Sequence, residues 1–244
     1  MDGRPGTEAS QRLDPLPTGF AATVASLHRL AEEVVAPARK PENEIALRAT
    51  PGGFGTPPFE FAGQERQVRA EGAELVYRVG DEEQRARITS IASAGALVAD
   101  LLPESAKLDE ERLALDARAA VVLGAWYELG AAVLSGLIGE ANPEDDASEI
   151  NLWPEHFDLA IELGPEADDA RANYGFSPGD ADHPEPYLYV GPWTAEVEGE
   201  LWNGHGFRGA ELGYAELAAA DDPKRAAIDF CRARRQALKE GTST

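Results

Sequence analysis

The sequence predicts an α+β protein in which antiparallel sheet, built from two strand meanders, packs on a long central helix and flanking helices. Three observations carry this reading. Apolar residues recur at helical spacing near both ends and through the middle. Two stretches alternate apolar and polar residues between glycines. The strand signals come in sets rather than singly between helices, which marks antiparallel pairing rather than βαβ units. The 244 residues fit one large domain at about 100–200 residues per domain. It is expected over residues 18–240, after a disordered lead at 1–17 carrying Gly3, Pro5, Gly6, Pro15 and Pro17.

From Thr18 to Ala36, Phe20, Val24, Leu27, Val34 and Val35 keep helical spacing until Pro37 and Pro41. Residues 43–88 then read as a meander of about four strands. Pro51-Gly52-Gly53, Gly72 and Gly80-Asp81 fall where hairpins must turn. Thr89 or Ser90 caps a short helix that stops at Pro103. A long helix is expected from Asp109 to Glu140. Its second half is apolar nearly all round, so it should form the spine of the core. Gly124, Glu128, Ala131 and Ser135 form a narrow face open to close approach, with Glu128 either reaching solvent at its edge, the favoured reading, or standing as a partly buried acid with a raised pKa. Ala117 to Gly139 is also long enough to span a membrane. A charge such as Glu128 near the centre of a span costs about 2.5–3.5 kcal/mol, and the flanks are acidic, so a buried helix is expected instead.

Strand signals return after an acidic loop at 142–149. Phe157, Leu159, Ile161 and Leu163 alternate with His156, Asp158, Ala160 and Glu162. Tyr174 with Phe176, then Tyr187 to Val190, suggest two more strands. Asp222-Pro223 opens a closing helix whose inner face holds Ala227, Phe230, Cys231 and Leu238.

Composition limits the function. With 44 acidic against 22 basic side chains the formal charge is −22, a field that repels phosphate backbones and anionic lipid. Neither nucleic acid nor a membrane is therefore an expected partner. The single cysteine, Cys231, forms no intramolecular disulfide, and the expected location is the cytoplasm.

Two motifs fail on physical grounds. Gly175-Phe176-Ser177-Pro178-Gly179 matches a nucleophile elbow, but Pro178 has no N–H to give to an oxyanion hole. Gly204-His205-Gly206-Phe207-Arg208-Gly209 matches a dinucleotide fingerprint, which needs a following helix and parallel strand. The residues after it read as helix alone, so it is taken as a glycine-rich loop.

The densest run of functional side chains lies between Trp153 and Trp193. Trp153, His156, Asp158, Tyr174, His183, Glu185, Tyr187 and Tyr189 are the expected ligand-binding residues. On strands, His156 shares a face with Asp158, and Tyr187 with Tyr189. Paired strands would then set imidazole, carboxylates and phenols along one surface. The leading expectation is a small-ligand-binding domain with an aromatic and acidic pocket. The alternative is a metal-assisted hydrolase in which His156, Asp158 and His183 ligate the ion and Glu155 or Glu185 serves as base. A third reading is an interaction module for a basic partner. No cofactor is specified by any motif.

At Phe157-Asp158-Leu159-Ala160, Tyr174 to Gly179 and Pro184-Glu185-Pro186-Tyr187, the chain resembles a family of uncharacterised, mostly actinobacterial proteins of unknown function. Leu47 to Thr89 resembles the first meander of that family and the Trp153 region its second, with coverage from about Thr18 to Leu238. The resemblance implies the fold and a cytoplasmic bacterial origin, and no catalytic residues.

Overall fold

The computed structural model describes residues 12–42, 44–180, 182–193 and 196–241. Part of the expected disordered lead, residues 1–11, lies outside them. Part of the rest is anchored: Leu13 is buried, and the Tyr214 hydroxyl donates to the Asp14 carbonyl at 2.7 Å.

Helix α1 (Phe20–Leu30) runs on through one π-helical turn, Ala31–Val35. Prolines 37 and 41 then divert the chain into a 3₁₀ segment, Pro37–Glu42. The first meander contains six strands: β1 (Arg48–Thr50), β2 (Gly53–Gly55), β3 (Phe59–Phe61), β4 (Gln64–Glu71), β5 (Glu74–Val79) and β6 (Glu82–Arg87). They form one antiparallel sheet in the order β1-β2-β4-β5-β6, with β3 paired to the start of β4. The sequence suggested four, because three-residue strands are too short to display alternation. Gly72 and Gly80, at φ +57° each, turn the β4–β5 and β5–β6 hairpins as expected.

Ser90 caps α2 (Ile91–Leu97). The spine helix α3 spans Ala117–Gly139, so it starts later than the expected Asp109. The reason lies in the backbone. Leu113 N–H donates to Thr89 O at 3.0 Å and Ala92 N–H to Asp109 O at 2.8 Å, which ties residues 109–113 to the start of α2. Asp116 then caps α3 by accepting from Ala119 N–H at 2.9 Å.

The second sheet holds β7 (Asn151–Trp153), β8 (Asp158–Leu163), β9 (Ala172–Ser177), β10 (Tyr187–Pro192) and β11 (Ala210–Gly213). All are antiparallel, in the order β11-β10-β9-β8-β7. Strand β11 corrects the expectation that only helix follows the glycine-rich loop. It pairs antiparallel with β10, so no parallel dinucleotide-binding unit forms. Leu47, just before β1, bridges to Leu152 of β7 and joins the two sheets. Helices α4 (Tyr214–Ala219) and α5 (Pro223–Gly241) close the chain.

Helix α3 lies against both sheets and against α1 and α5, and its apolar residues are covered by them. Two glycines permit the approach. A Cβ on Gly124 would sit 2.6 Å from the carbonyl carbon of Gly52, and one on Gly130 would sit 2.9 Å from the Phe176 ring. Glu128 stays exposed, as its place at the edge of the small-residue face implies, and accepts from Gly52 N–H at 3.1 Å. At the centre of the helix, Trp126 and Tyr127 are both wholly buried. Side chains of this kind remove about 150–250 Å² each from water, worth about 4–6 kcal/mol at about 25 cal/mol per Å². Their polar tips are satisfied by backbone: Trp126 Nε1–H donates to Ser177 O at 2.9 Å, and the Tyr127 hydroxyl donates to Phe157 O at 2.6 Å.

One buried ion cluster holds α5 in place. Asp145 meets Arg235 at 2.6 Å and Lys239 at 2.8 Å, and its side chain is only 3% exposed. Burial alone pushes its carboxyl up. Lys239, the Asn142 N–H and Arg235 more than reverse this, leaving it below the ordinary carboxylate range.

Two stability outcomes follow from these contacts. Tyr127→Phe strands the Phe157 carbonyl and should cost about 1–3 kcal/mol, lowering Tm in calorimetry by about 2–4 °C per kcal/mol. Asp145→Ala leaves Arg235 uncompensated and should cost about 3 kcal/mol at neutral pH. Because the folded Asp145 pKa is depressed, its contribution is present above the ordinary Asp value and disappears as pH falls through the folded value. Denaturant titrations of variant and wild type should therefore converge in acid.

Candidate functional site

Strand parity decides which side chains reach the outer face of the second sheet. On β8, Leu159, Ile161 and Leu163 are buried against the core, and Asp158, Ala160 and Glu162 take the opposite face. On β9 the inner set is Ala172, Tyr174 and Phe176; on β10 it is Leu188 and Val190. Tyr187 and Tyr189 therefore face outward beside Gly175 and Ser177, across registers Tyr189↔Gly175 and Tyr187↔Ser177. A Cβ on Gly175 would collide with Cζ, Oη and Cε1 of Tyr189. Only glycine lets that ring cross β9 and place its hydroxyl against Asp158 on β8, to whose Oδ2 it donates.

Above this face lies a cleft of about 1220 Å³. Its walls come from α1, from the β7–β8 turn, from residues 177–180 and 182–184 and from the loop at 205–207. The chain has four histidines, and all of them, His28, His156, His183 and His205, line it. A side pocket of about 500 Å³ opens from it, sharing His156, Asp158 and Tyr189.

Each wall has a structural cause. His28, on α1, lies 2.7 Å from the Pro154 carbonyl and stacks parallel on Phe157 with centroids 5.1 Å apart. Phe157 adopts φ +54°, a conformation rare outside glycine and held here by Tyr127. That geometry closes the β7–β8 turn, so His156 sits in the turn and is exposed rather than on a strand beside Asp158. Across the cleft, Asp180 Oδ1 accepts from the backbone N–H of Asp182 and of His183, each at 2.8 Å. Burial pushes Asp180 up, but those two donors, together with His183 and the Tyr187 hydroxyl, outweigh it and hold the carboxyl below its usual range. His183 stands between Asp180 at 3.5 Å and Glu211 at 3.3 Å. Both its ring nitrogens are shielded from water without a hydrogen bond. Its ring packs on Tyr187, centroids 4.6 Å apart. The chain of rings continues to Tyr189 at 6.1 Å and on to Phe207 at 6.3 Å.

Asp158 is the most unusual group. It is 8% exposed, and its Oδ1 is buried with no hydrogen-bond partner. Desolvation raises its pKa, only partly offset by the Tyr189 hydroxyl and by His156. The same burial, together with the Asp158 charge, pushes Tyr189 well above the normal phenol value, so it remains a donor.

Of the eight residues expected to bind ligand, His156, Asp158, His183, Tyr187 and Tyr189 meet in this cleft. Trp153 pairs with Asp158 across the hairpin and lines only the side pocket. Tyr174 is on the other face, fully buried near Cys231 and Arg235 of α5, because it shares parity with Phe176. Glu185 is exposed outside the lining. Sequence reasoning missed His28, His205 and Phe207, which lie far away along the chain. The metal reading joined His156 and Asp158 to His183. Among the described residues no group of three or more His, Cys, Asp or Glu is gathered to hold an ion. No family model, curated protein or solved structure matches this chain.

The ionised Asp158 carboxylate is a burden on the fold. Its folded pKa is raised, so the native state binds more protons than the unfolded chain, and stability is lost as pH rises from about 4 through the folded value. Asn at 158 keeps an acceptor for Tyr189 without the charge. The groups facing Asp158, namely Glu155, His156, Tyr127 and Tyr189, are unchanged in that variant. Asp158→Asn should therefore be more stable than wild type near neutrality, with the difference shrinking toward pH 4; denaturant unfolding across that range measures it.

Proposed function

We propose that this protein binds a small polar molecule in the cleft on the outer face of its second sheet. The observation that carries the reading is the convergence of all four histidines, from four separate segments, around a floor of Tyr187 and Tyr189. Histidine placed at random would scatter over the surface. A concave site with aromatic walls and a few convergent polar groups is the usual form of a ligand pocket. The buried, unpartnered oxygen of Asp158 supports the same reading, because a group that destabilises the fold is retained where it serves binding.

The four imidazoles are also reporters. In NMR spectra of the imidazole signals, screened against polyols, amines, amino acids and carboxylates, a ligand should shift at least two of His28, His156, His183 and His205 together. Gly175→Ala drives the Tyr189 ring off Asp158 while leaving the backbone unstrained, and should weaken that ligand about tenfold. A screen in which nothing moves these signals, or in which the Ala variant binds as wild type does, would defeat the reading.

A further inference from the structure

We infer that the molecule taken by the cleft is an organic ammonium ion, an amine or alkylated amine in its charged form, held against Tyr187, Tyr189 and Phe207 beside Asp158. The inference rests on the small-ligand reading above and narrows its chemistry. Among the described residues lining the cleft there is no lysine or arginine, while Glu155, Asp158, Asp180 and Asp182 all contribute to its wall. A phosphate, sulfate or carboxylate ligand would find no permanent cation to pair with.

Acidic residues alone would not make a site, and two independent features do so here. The first is the orphaned oxygen of Asp158, on a side chain more than nine-tenths buried that lines both the cleft and its side pocket. The Tyr189 hydroxyl donates to the other oxygen, Oδ2, and leaves Oδ1 without a partner. A cation is the partner that removes the cost of ionising this group. The second feature is the disposition of the rings. Tyr187 and Tyr189 are inclined at 49°, and Tyr189 and Phe207 at 80°. They form adjoining walls, not a stack. Ring faces set at such angles surround a cation with negative quadrupole, which is how aromatic cages hold alkylated ammonium groups. A neutral polyol would gain the hydrogen bonds but nothing from the buried charge.

The test uses the full chain at mildly alkaline pH, with calorimetry and imidazole NMR. The probes are choline, tetramethylammonium and n-butylammonium, against 3,3-dimethyl-1-butanol as the neutral shape-match of choline, glucose as a polyol, inorganic phosphate, and zinc chloride. At least one ammonium probe should bind saturably and shift His183 together with a second imidazole. The neutral alcohol should bind at least tenfold more weakly. Asp158→Asn, which keeps the Tyr189 contact, and Tyr187→Leu should each lower ammonium affinity about tenfold, with circular dichroism unchanged. Equal binding of the alcohol, or binding of glucose alone, overturns the ammonium assignment while leaving the small-ligand reading intact. Shifts produced by zinc or phosphate alone likewise overturn it. If no probe or library member reaches the cleft, both readings fall.

Discussion

Two neighbouring residues on α3 hold the structure in the form the cleft requires. Successive positions on a helix point about 100° apart, so Trp126 and Tyr127 reach different loops from a single turn. One donates to the carbonyl of Ser177 where β9 ends, the other to the carbonyl of Phe157 where β7 turns into β8. A buried donor must find an acceptor, and these two find theirs on neighbouring strands at one end of the second sheet, where Leu159 pairs with Phe176. The spacing between the Asp158 side of the cleft and the Ser177–Gly179 side is thereby tied to the geometry of one helical turn. Gly130 strengthens the tie by admitting the Phe176 ring between helix and strand.

From that frame, the site follows by parity. Once Leu159, Phe176 and Leu188 are committed to the core, Asp158, Gly175 and Tyr189 must face outward, and the absence of a side chain at Gly175 lets Tyr189 reach across a strand. The result is a carboxyl group desolvated by a phenol ring and satisfied on only one oxygen. Nothing in the packing of the fold requires it, since Ala160 two residues on fills the equivalent outward position with a methyl group. A burden of this kind, placed in the wall of a cleft that Asp180 also lines, is what separates the outer face of this sheet from an ordinary solvated one.

Much of the architecture was legible in the residues. Helical spacing from Phe20, the apolar second half of α3, the Asp222-Pro223 start of α5 and the glycines at 72 and 80 are local signals, and each appears where the pattern placed it. What escaped depended on contacts distant in sequence. Residues 109–113 have the composition of a helix start but spend their backbone on Thr89 and Ala92. Strands β1 to β3 are too short to show a period, and β11 follows a loop whose glycines mask it. The cleft was half legible. The β8 and β10 residues share a face by strand arithmetic, and the same arithmetic, applied to Tyr174 beside Phe176, places that tyrosine in the core. His28 and His205 carried no local signal; only the stacking of α1 on Phe157 and the pairing of β11 bring them in.

The charge of −22 takes on a specific meaning when the basic side chains are located. On the first sheet, Arg69, Arg78 and Arg85 pair with Glu65, Glu71 and Glu83, and the charged outer strand β6 leaves no apolar edge for another chain to extend. On the second sheet's far end, Arg171 is held by Glu162 and lies over the Trp193 ring. At α5, Arg235 and Lys239 converge on Asp145, and Arg232 on Glu140. Apart from the buried cluster at Asp145, these pairs keep at least one partner partly exposed and are individually weak. Their combined effect is one of distribution: the cations are placed against carboxylates away from the cleft, and the groups left around Asp158 are acids and imidazoles. The excess acid of the whole chain is thus a solvated surface in most places, and in the cleft it gathers around Asp158, the one buried acid among the described lining residues, where burial limits the screening of its charge by water.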